Sequence, residues 1–194
     1  MRSDLSFKPF ITKEEISSLP VNSFSGDLHF IDSFEKFLAV IHELKNESAF
    51  GFDTETRPAF KKGKQYDVSL LQLSVREKAY LFRLNKIGLP NELAEILASK
   101  DIKKIGVAIH DDILSLRKLN NFEPEGFIDL QQYVKSFGIE DNGLKKLAAN
   151  ILGFKISKRQ QTSNWEADVL TPAQIEYAAT DAWVCYEIFK KLEN

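Results

Sequence analysis

The sequence contains almost no cysteine and no long apolar run. Its single cysteine, Cys185, excludes an intramolecular disulfide bond and is typical of a protein from a reducing compartment. No apolar stretch approaches the roughly 20 residues needed to span a bilayer. Residues 1–12 also lack the continuous apolar core of a secretory signal peptide. We therefore expect an intracellular protein, cytoplasmic and of bacterial type, with no membrane partner.

The sequence also lacks an excess of basic residues, since its formal net charge is −2. Proteins that bind nucleic acid usually carry a clear positive excess, so this balance argues mildly against such a partner. A cluster of carboxylates that holds metal ions would change this conclusion. The bound cations would offset several of the negative charges and make the loaded site attractive to phosphate.

Hydrophobic residues make up 43% of the chain and include fifteen Phe, which favours one globular domain with a substantial core. Apolar periodicity predicts three strands in an antiparallel meander and then helices alternating with two further strands. We predict an α/β fold with a central mixed five-stranded sheet and helices on both faces. The predicted strands cover residues 48–55, 68–74, 79–83, 103–108 and 127–130.

The chain before this domain is predicted to be mostly irregular. Residues 1–28 are interpreted as an N-terminal extension and residues 29–194 as the main domain. Thr12 followed by Glu15 has the spacing of a capping box, which predicts a short helix within the extension.

Two acids follow the first predicted strand. Because side chains alternate faces along a strand, Asp53 and Glu55 are expected to point the same way and Thr54 the opposite way. Two carboxylates this close repel unless one is protonated or a cation lies between them. A hard divalent ion with oxygen ligands suits such a pair, although a solvated turn is the alternative interpretation.

A basic loop with proline and glycine follows these acids at residues 57–64 (RPAFKKGK). It is either a solvated hairpin tip or a loop that contacts phosphate next to the acids.

The last predicted helix has a well-marked start. Thr171, Pro172 and Gln174 combine a capping residue, proline at the first helical position and glutamine three residues after the cap. Tyr177 and Asp181 are then four residues apart on one helical face. They form either a surface pair or part of a site.

Four segments of the sequence are considered together. They are residues 52–56 (FDTET), 106–116 (GVAIHDDILSL), 163–165 (SNW) and 177–182 (YAATDA). These segments resemble the motifs of the DEDDy branch of the DEDD (DnaQ-like) 3′-5′ exonuclease superfamily, which contains ribonuclease D and the exonuclease domains of Werner-type proteins. The tyrosine four residues before the last acid is the mark of this branch. The resemblance runs from about residue 50 to residue 194.

The resemblance implies a ribonuclease H-like fold and removal of nucleotides from a 3′ end by two divalent ions, Mg²⁺ or Mn²⁺. It implies that Asp53, Glu55 and Asp181 ligate one ion and that Asp53 also bridges to the second. Asp112 would hold the second ion through water, and Tyr177 would orient the attacking water. Two ions in such a site stabilise both the attacking and the leaving oxygen.

Two details of the motifs leave choices open. The second motif has adjacent acids, and spacing from Gly106 selects Asp112, which leaves Asp111 as an acid at a helix N-terminus. His110 is interpreted as a structural or rim residue rather than a base. After Trp165, residues 166–168 (EAD) stand where the family often has basic residues, which weakens a phosphate clamp there and leaves Lys155, Lys158 and Arg159 as the alternative.

The leading hypothesis is a metal-dependent 3′-5′ exonuclease on single-stranded or frayed nucleic acid, with DNA favoured. One alternative is ribonuclease D-like trimming of RNA, for which the chain lacks room for extra helical RNA-binding domains. Another is a catalytically silent nucleic-acid-binding domain, although all four acids and the tyrosine are present. The sequence predicts no particular protein partner.

Overall fold

A six-stranded mixed sheet forms the centre of the protein. The computed structural model describes residues 7–61 and 63–194, so that residues 1–6 and Lys62 of the basic loop lie outside it. The strands are β1 (Asp27–Ile31), β2 (Ala49–Thr56), β3 (Val68–Ser74), β4 (Lys78–Phe82), β5 (Lys103–Gly106) and β6 (Phe127–Asp129). Their order across the sheet is β1-β4-β3-β2-β5-β6.

The pairing pattern confirms the predicted meander. Strands β2, β3 and β4 pair antiparallel in sequence order, while β5 joins β2 and β6 joins β5 in parallel. The α/β class is therefore confirmed. The predicted ends of the five strands differ from the observed ends by at most two residues, and those of β3 coincide.

The predicted number of strands, five, is wrong because β1 was missed. This strand pairs in parallel with β4 at the edge of the sheet. Of its five residues only Ile31 is fully buried, while Asp27 and Leu28 are exposed. An edge strand that buries so little has too weak an apolar pattern to stand out from a loop.

Helices connect the strands and cover the sheet. No helix within the described residues is long and apolar enough to cross a membrane. The α-helices are α1 (Lys13–Ser18), α2 (Phe34–Leu44), α3 (Leu84–Ile87), α4 (Asn91–Ala98), α5 (His110–Leu119), α6 (Leu130–Tyr133), α7 (Leu144–Leu147) and α8 (Pro172–Glu193); Val134–Phe137 is a 3₁₀-helix and Ala148–Leu152 a π-helix.

The two faces of the sheet bury separate cores, as the prediction of helices on both faces requires. On one face Phe50 and Phe52 of β2 pack with apolar residues of α2, α4 and α5. On the other face α8 packs with apolar residues of the central strands, of α7 and of the following π-helix. Helix α8 therefore lies directly over the strand that carries Asp53 and Glu55.

The N-terminal segment is packed onto the domain. The predicted capping box of α1 is confirmed, since Thr12 and Glu15 each accept the other's backbone N–H. Ile11 and Ile16 pack against Ala149, and the Ile11 N–H donates to the buried Asp141 carboxylate at 2.7 Å. The division into an extension at 1–28 and a domain at 29–194 stays a prediction.

Candidate active site

Helix α8 approaches β2 unusually closely at Gly51. A Cβ added to Gly51 would lie 1.8 Å from the carbonyl oxygen of Ala182, well inside van der Waals contact. Only glycine therefore fits at this point of the strand. The close approach brings Asp181, which precedes Ala182, next to the acids that follow Gly51.

The acids form a three-carboxylate cluster. Asp53, Glu55 and Asp181 each offer an oxygen, and these oxygens all lie within 4.8 Å of one another. Asp181 is buried, and Asp53 and Glu55 are half-buried. Carboxylate oxygens are the ligands that hard divalent cations prefer. The donor set therefore fits a divalent metal ion, as the sequence predicted for this pair and Asp181.

Without a cation, this cluster binds protons instead. Burial raises the pKa of Glu55 to about 10, and repulsion from Asp53 and Asp181 adds to the effect. Burial likewise raises the pKa of Asp53 well above its usual range, with Asp181 and then Asp112 contributing repulsion. The pKa of Asp181 is raised to about 7 by burial, against the lowering effects of the Tyr177 hydroxyl and of Lys158. Perturbed carboxylates grouped in a cleft are typical of functional sites.

Asp112 lies beside this cluster rather than within it. Its carboxylate accepts a hydrogen bond from the Thr54 hydroxyl, which is on the strand residue between the two acids. Burial raises the pKa of Asp112, and the bond from Thr54 opposes that effect. Because Asp112 is half-buried and hydrogen-bonded to Thr54, whereas Asp111 is exposed, the structure brings the second of the two adjacent acids to the cluster.

The turn from β5 to α5 sets the position of Asp112. Ala108 has a φ of 58°, in the left-handed region that is uncommon for residues other than glycine. Its N–H donates to Oδ1 of Asp129 at 3.1 Å, and the same oxygen accepts the N–H of Gln131 at 2.9 Å. The carboxylate at the end of β6 thus fixes the neighbouring turn that starts α5.

Tyr177 lies one turn before Asp181 on α8, as predicted. The capping box of α8 is formed as expected, with the Thr171 hydroxyl accepting the N–H of Gln174 at 3.2 Å. The ring of Tyr177 packs against Trp165, with 6.1 Å between centroids, and Trp165 is fully buried. Burial raises the pKa of the Tyr177 hydroxyl above its ordinary value, and repulsion from Asp181 and Glu55 adds to this. The hydroxyl is therefore neutral at physiological pH.

The acidic segment after Trp165 folds back onto two arginines. Glu166 forms an ion pair with Arg57 at 3.1 Å, so this first cation of the basic loop is already partnered. The backbone carbonyl of Ala167 accepts a hydrogen bond from the buried Arg83 at 2.7 Å. Residues 166–168, which stand where the family often has basic residues, therefore help to hold the basic loop in place through Glu166.

A cavity of about 250 Å³ opens over the carboxylates. The three acids and Tyr177 line it, whereas the exposed His110 does not. Sequence reasoning missed the role of Thr54, although it lies within the first motif. It also missed Gln161 and Leu144, which line the cavity and lie outside the motifs. Cys185, interpreted from the sequence as a buried inert thiol, is buried where it lines this cavity, and burial raises its pKa well above the usual value.

Comparison with known proteins gives relatives that are named as exonucleases. The chain is 34% identical over 189 residues to the bifunctional 3′-5′ exonuclease/ATP-dependent helicase WRN of Mus musculus, covering 91% of this chain and 13% of that protein. It is 35% identical over 161 residues to exonuclease 3′-5′ domain-containing protein 2 of Drosophila melanogaster, covering 79% of this chain and 27% of the relative. The chain thus spans about a quarter or less of these relatives.

Two solved structures resemble the fold of this chain. The Nibbler EXO domain of Aedes aegypti superposes with a TM-score of 0.79 at 28% identity, covering 89% of this chain and 91% of that one. Escherichia coli RNase D, at 24% identity and a TM-score of 0.73, covers 86% of this chain and 44% of its own and shares the fold. Residues 28–194 match the sequence profile of the family described as 3′-5′ exonuclease. The predicted resemblance is thereby confirmed, and the chain belongs to the 3′-5′ exonuclease family.

Proposed function

We propose that the chain is a metal-dependent exonuclease that removes nucleotides one at a time from the 3′ end of single-stranded or frayed nucleic acid. The observation that carries this proposal is the carboxylate cluster of Asp53, Glu55 and Asp181, with oxygens within 4.8 Å of one another in an open cavity. Unpaired buried carboxylates are costly unless they bind protons or cations. A site that binds cations and lies in a cleft suits phosphodiester hydrolysis.

The acids divide into two groups in this proposal. Asp53, Glu55 and Asp181 would hold one divalent ion, and Asp112, supported by Thr54, would help to hold a second next to Asp53. We propose Mg²⁺ or Mn²⁺ as the ions. When bound, the pair supplies a Lewis acid that activates water and neutralises charge on the attacking and leaving oxygens.

Tyr177 has a positioning role in the proposed reaction. Because burial keeps its hydroxyl protonated, it cannot remove a proton from water at physiological pH. A neutral hydroxyl can instead donate or accept a hydrogen bond that orients the attacking water. The contact with the buried Trp165 holds the Tyr177 ring, and with it the hydroxyl oxygen, in place.

The proposed reaction is hydrolysis of the last phosphodiester bond of the strand. A water oxygen forms a new bond to phosphorus while the bond to the 3′ oxygen of the preceding nucleotide breaks. The released nucleotide keeps the phosphate, and the shortened strand takes a proton on its 3′ oxygen. The next nucleotide at the 3′ end of the shortened strand can then bind at the same acids.

The experiment that tests this proposal is a cleavage time course on DNA and RNA oligonucleotides of one sequence, labelled at the 5′ end. We expect a ladder that shortens one nucleotide at a time with Mg²⁺ or Mn²⁺ and no cleavage in EDTA, with DNA as the favoured substrate. Asp53→Ala is expected to abolish cleavage in both metals while the protein stays folded. Activity of Asp53→Ala within tenfold of the parent would overturn the assignment, and no cleavage by the parent would favour a silent binding domain.

The cytoplasmic location expected from the sequence is kept as a proposal, supported by the free thiol of Cys185.

A further inference from the structure

A second, larger cavity adjoins the carboxylate cluster. Lys158 lines the cavity over the acids and also lines this neighbouring cavity of about 760 Å³. Four more lysines surround the second cavity, and no acidic side chain lines it. We call it the lysine cavity, and its lysines are Lys13, Lys145, Lys146, Lys155 and Lys158.

Three of these lysines are available to a ligand. Lys146 is paired with Asp141 at 2.7 Å, and Lys155 donates to the backbone carbonyl of Ser17 at 2.5 Å. Over residues 7–61 and 63–194, the ammonium groups of Lys13, Lys145 and Lys158 make no hydrogen bond and no ion pair, and the charge of Lys158 lowers the pKa of Asp181. Lys13 and Lys145 therefore give the cavity positive charge that no described acid pairs with.

One wall of the lysine cavity comes from outside the region that matches the family. The family match begins at residue 28, whereas Lys13 and Ile16 belong to α1. The helix is fixed in place because Ile16 packs on Ala149 and because Lys155 reaches the carbonyl of Ser17. The N-terminal segment thus carries a lysine to the rim of a cavity next to the acids.

The other basic cavity is a weaker candidate for the same ligand. It has a volume of about 460 Å³ and is lined by residues of the loop after β2, including Arg57, Lys64 and Tyr66. Arg57 is paired with Glu166 at 3.1 Å, and the cations of Arg57 and Lys64 lie 4.9 and 4.7 Å from the centre of the Tyr66 ring. None of its lining residues also lines the cavity over the acids.

We propose that the lysine cavity binds the sugar-phosphate backbone of the substrate strand on the 5′ side of the bond that is cleaved. This inference rests on the proposed exonuclease function and adds to it the surface on which the uncleaved part of the substrate strand lies. Lysines act as point charges for phosphate, and a basic groove that follows the backbone is a common way to bind single strands. The N-terminal segment is then part of the substrate groove, although the net charge of the chain is −2.

The test compares two double variants with the same change in charge. K13E/K145E reverses two unpaired lysines of the cavity. K100E/K118E reverses two exposed lysines that lie before β5 and near the end of α5 and line neither basic cavity. Both are measured by fluorescence anisotropy with a 15-nucleotide oligothymidylate in EDTA, which separates binding from cleavage. Thermal unfolding verifies that each variant is folded, and K13Q/K145Q replaces the Glu variant if that one is not.

We expect K13E/K145E to weaken binding roughly tenfold and to lower the dependence of log Kd on log salt by about 1.4, the loss of two phosphate contacts on a single strand. K100E/K118E is expected to bind within about twofold of the parent. Equal Kd values for the two variants, or a larger effect of K100E/K118E, would overturn the inference.

A single-nucleotide substrate, which cannot reach the lysine cavity with a neighbouring phosphate, tests the proposed hydrolysis independently of strand binding. The parent protein is assayed with the p-nitrophenyl ester of thymidine 5′-monophosphate and Mn²⁺. Hydrolysis of the ester together with equal binding by both variants would refute the placement of the strand and leave the exonuclease proposal intact. Failure of the parent to hydrolyse either the ester or any oligonucleotide would instead refute the exonuclease proposal.

Discussion

Gly51 and Ala182 are in direct contact, since the backbone of β2 at Gly51 lies against the carbonyl group of Ala182 in α8 with no room for a side chain. The contact sets the distance between the strand and the helix. It therefore sets the distance between Asp53 and Asp181, which lie two residues after and one residue before the contact.

Gly51→Ala is expected to push α8 away from β2 because the new Cβ would lie 1.8 Å from a backbone oxygen that cannot rotate away. We expect a loss of about 3 kcal/mol of stability and a fall in Tm of roughly 10 °C. Thermal unfolding by circular dichroism measures this. Gly143→Ala is the control, because its φ is −101° and nothing lies within 4 Å of its added Cβ. Equal Tm values for the two variants would show that α8 and β2 can adjust to a side chain at residue 51 without loss of stability.

The stability of the metal-free protein is expected to fall as pH rises. Glu55 has a pKa of about 10 in the folded protein and about 4.5 as a free side chain, so both states are protonated below about pH 4.5. Above that pH the unfolded chain loses a proton that the folded protein keeps, and the folded state loses stability up to about pH 10. Asp181 acts in the same direction up to about pH 7.

A divalent cation should reverse this trend because it replaces the protons on the cluster. We expect the difference between Tm in millimolar Mg²⁺ and Tm in EDTA to grow from about pH 5.5 to about pH 8.5. Glu55→Gln, which removes the charge and keeps the shape, is the control. It is expected to raise Tm in EDTA at neutral pH and to flatten both pH trends. A Mg²⁺ effect independent of pH in the parent would count against a cation site at Glu55.

Tyr177→Phe is expected to slow cleavage by roughly 10- to 1000-fold, the range for losing one positioned hydrogen-bonding group in an active site. Phenylalanine keeps the contact with Trp165, so Tm and its increase with Mg²⁺ should match the parent. Single-turnover cleavage of a 5′-labelled oligonucleotide measures the rate. A parental rate would make Tyr177 a packing residue of α8 and leave another group to orient the water.

Thr54→Val is expected to reduce cleavage by roughly 10- to 100-fold, as is typical when a group that supports a metal ligand is removed. Valine keeps the branched shape and removes the hydroxyl that donates to Asp112. Thr54→Ser, which keeps the donor, should recover most of the rate. If valine and serine gave the same rate, the hydrogen bond to Asp112 would have no part in catalysis.

Much of the fold was predictable because the buried elements have strong patterns. Strand β3 was predicted with its observed bounds, and the capping residues Thr12 and Thr171 marked two helix starts. Strand β1 was missed because an edge strand with one fully buried residue has no clear period. Pairing between β1 and β4 is also a long-range contact, which no local pattern reports.

The parts of the candidate site that lie on a single strand or helix were predictable, because the spacing of residues in the sequence decides which side chains share a face. The period of a strand places Asp53 and Glu55 together, and the period of a helix places Tyr177 with Asp181. The hydrogen bond from Thr54 to Asp112 was not predictable, since it joins the far face of β2 to the first turn of α5. The lysine cavity likewise depends on how α1 packs near α7, and no short motif encodes that packing.

The contact of α8 with β2 also has a consequence for folding. Strand β2 comes early in the sequence and Asp181 near its end, so the carboxylate cluster forms only through a contact of high sequence separation. Loop closure costs entropy before such a contact stabilises the fold, so we expect this contact to form late. In a state with the meander formed and α8 undocked, only Asp53 and Glu55 of the three clustered acids would be close together. Recovery of nuclease activity during refolding would then follow the docking of this one helix rather than the formation of the sheet.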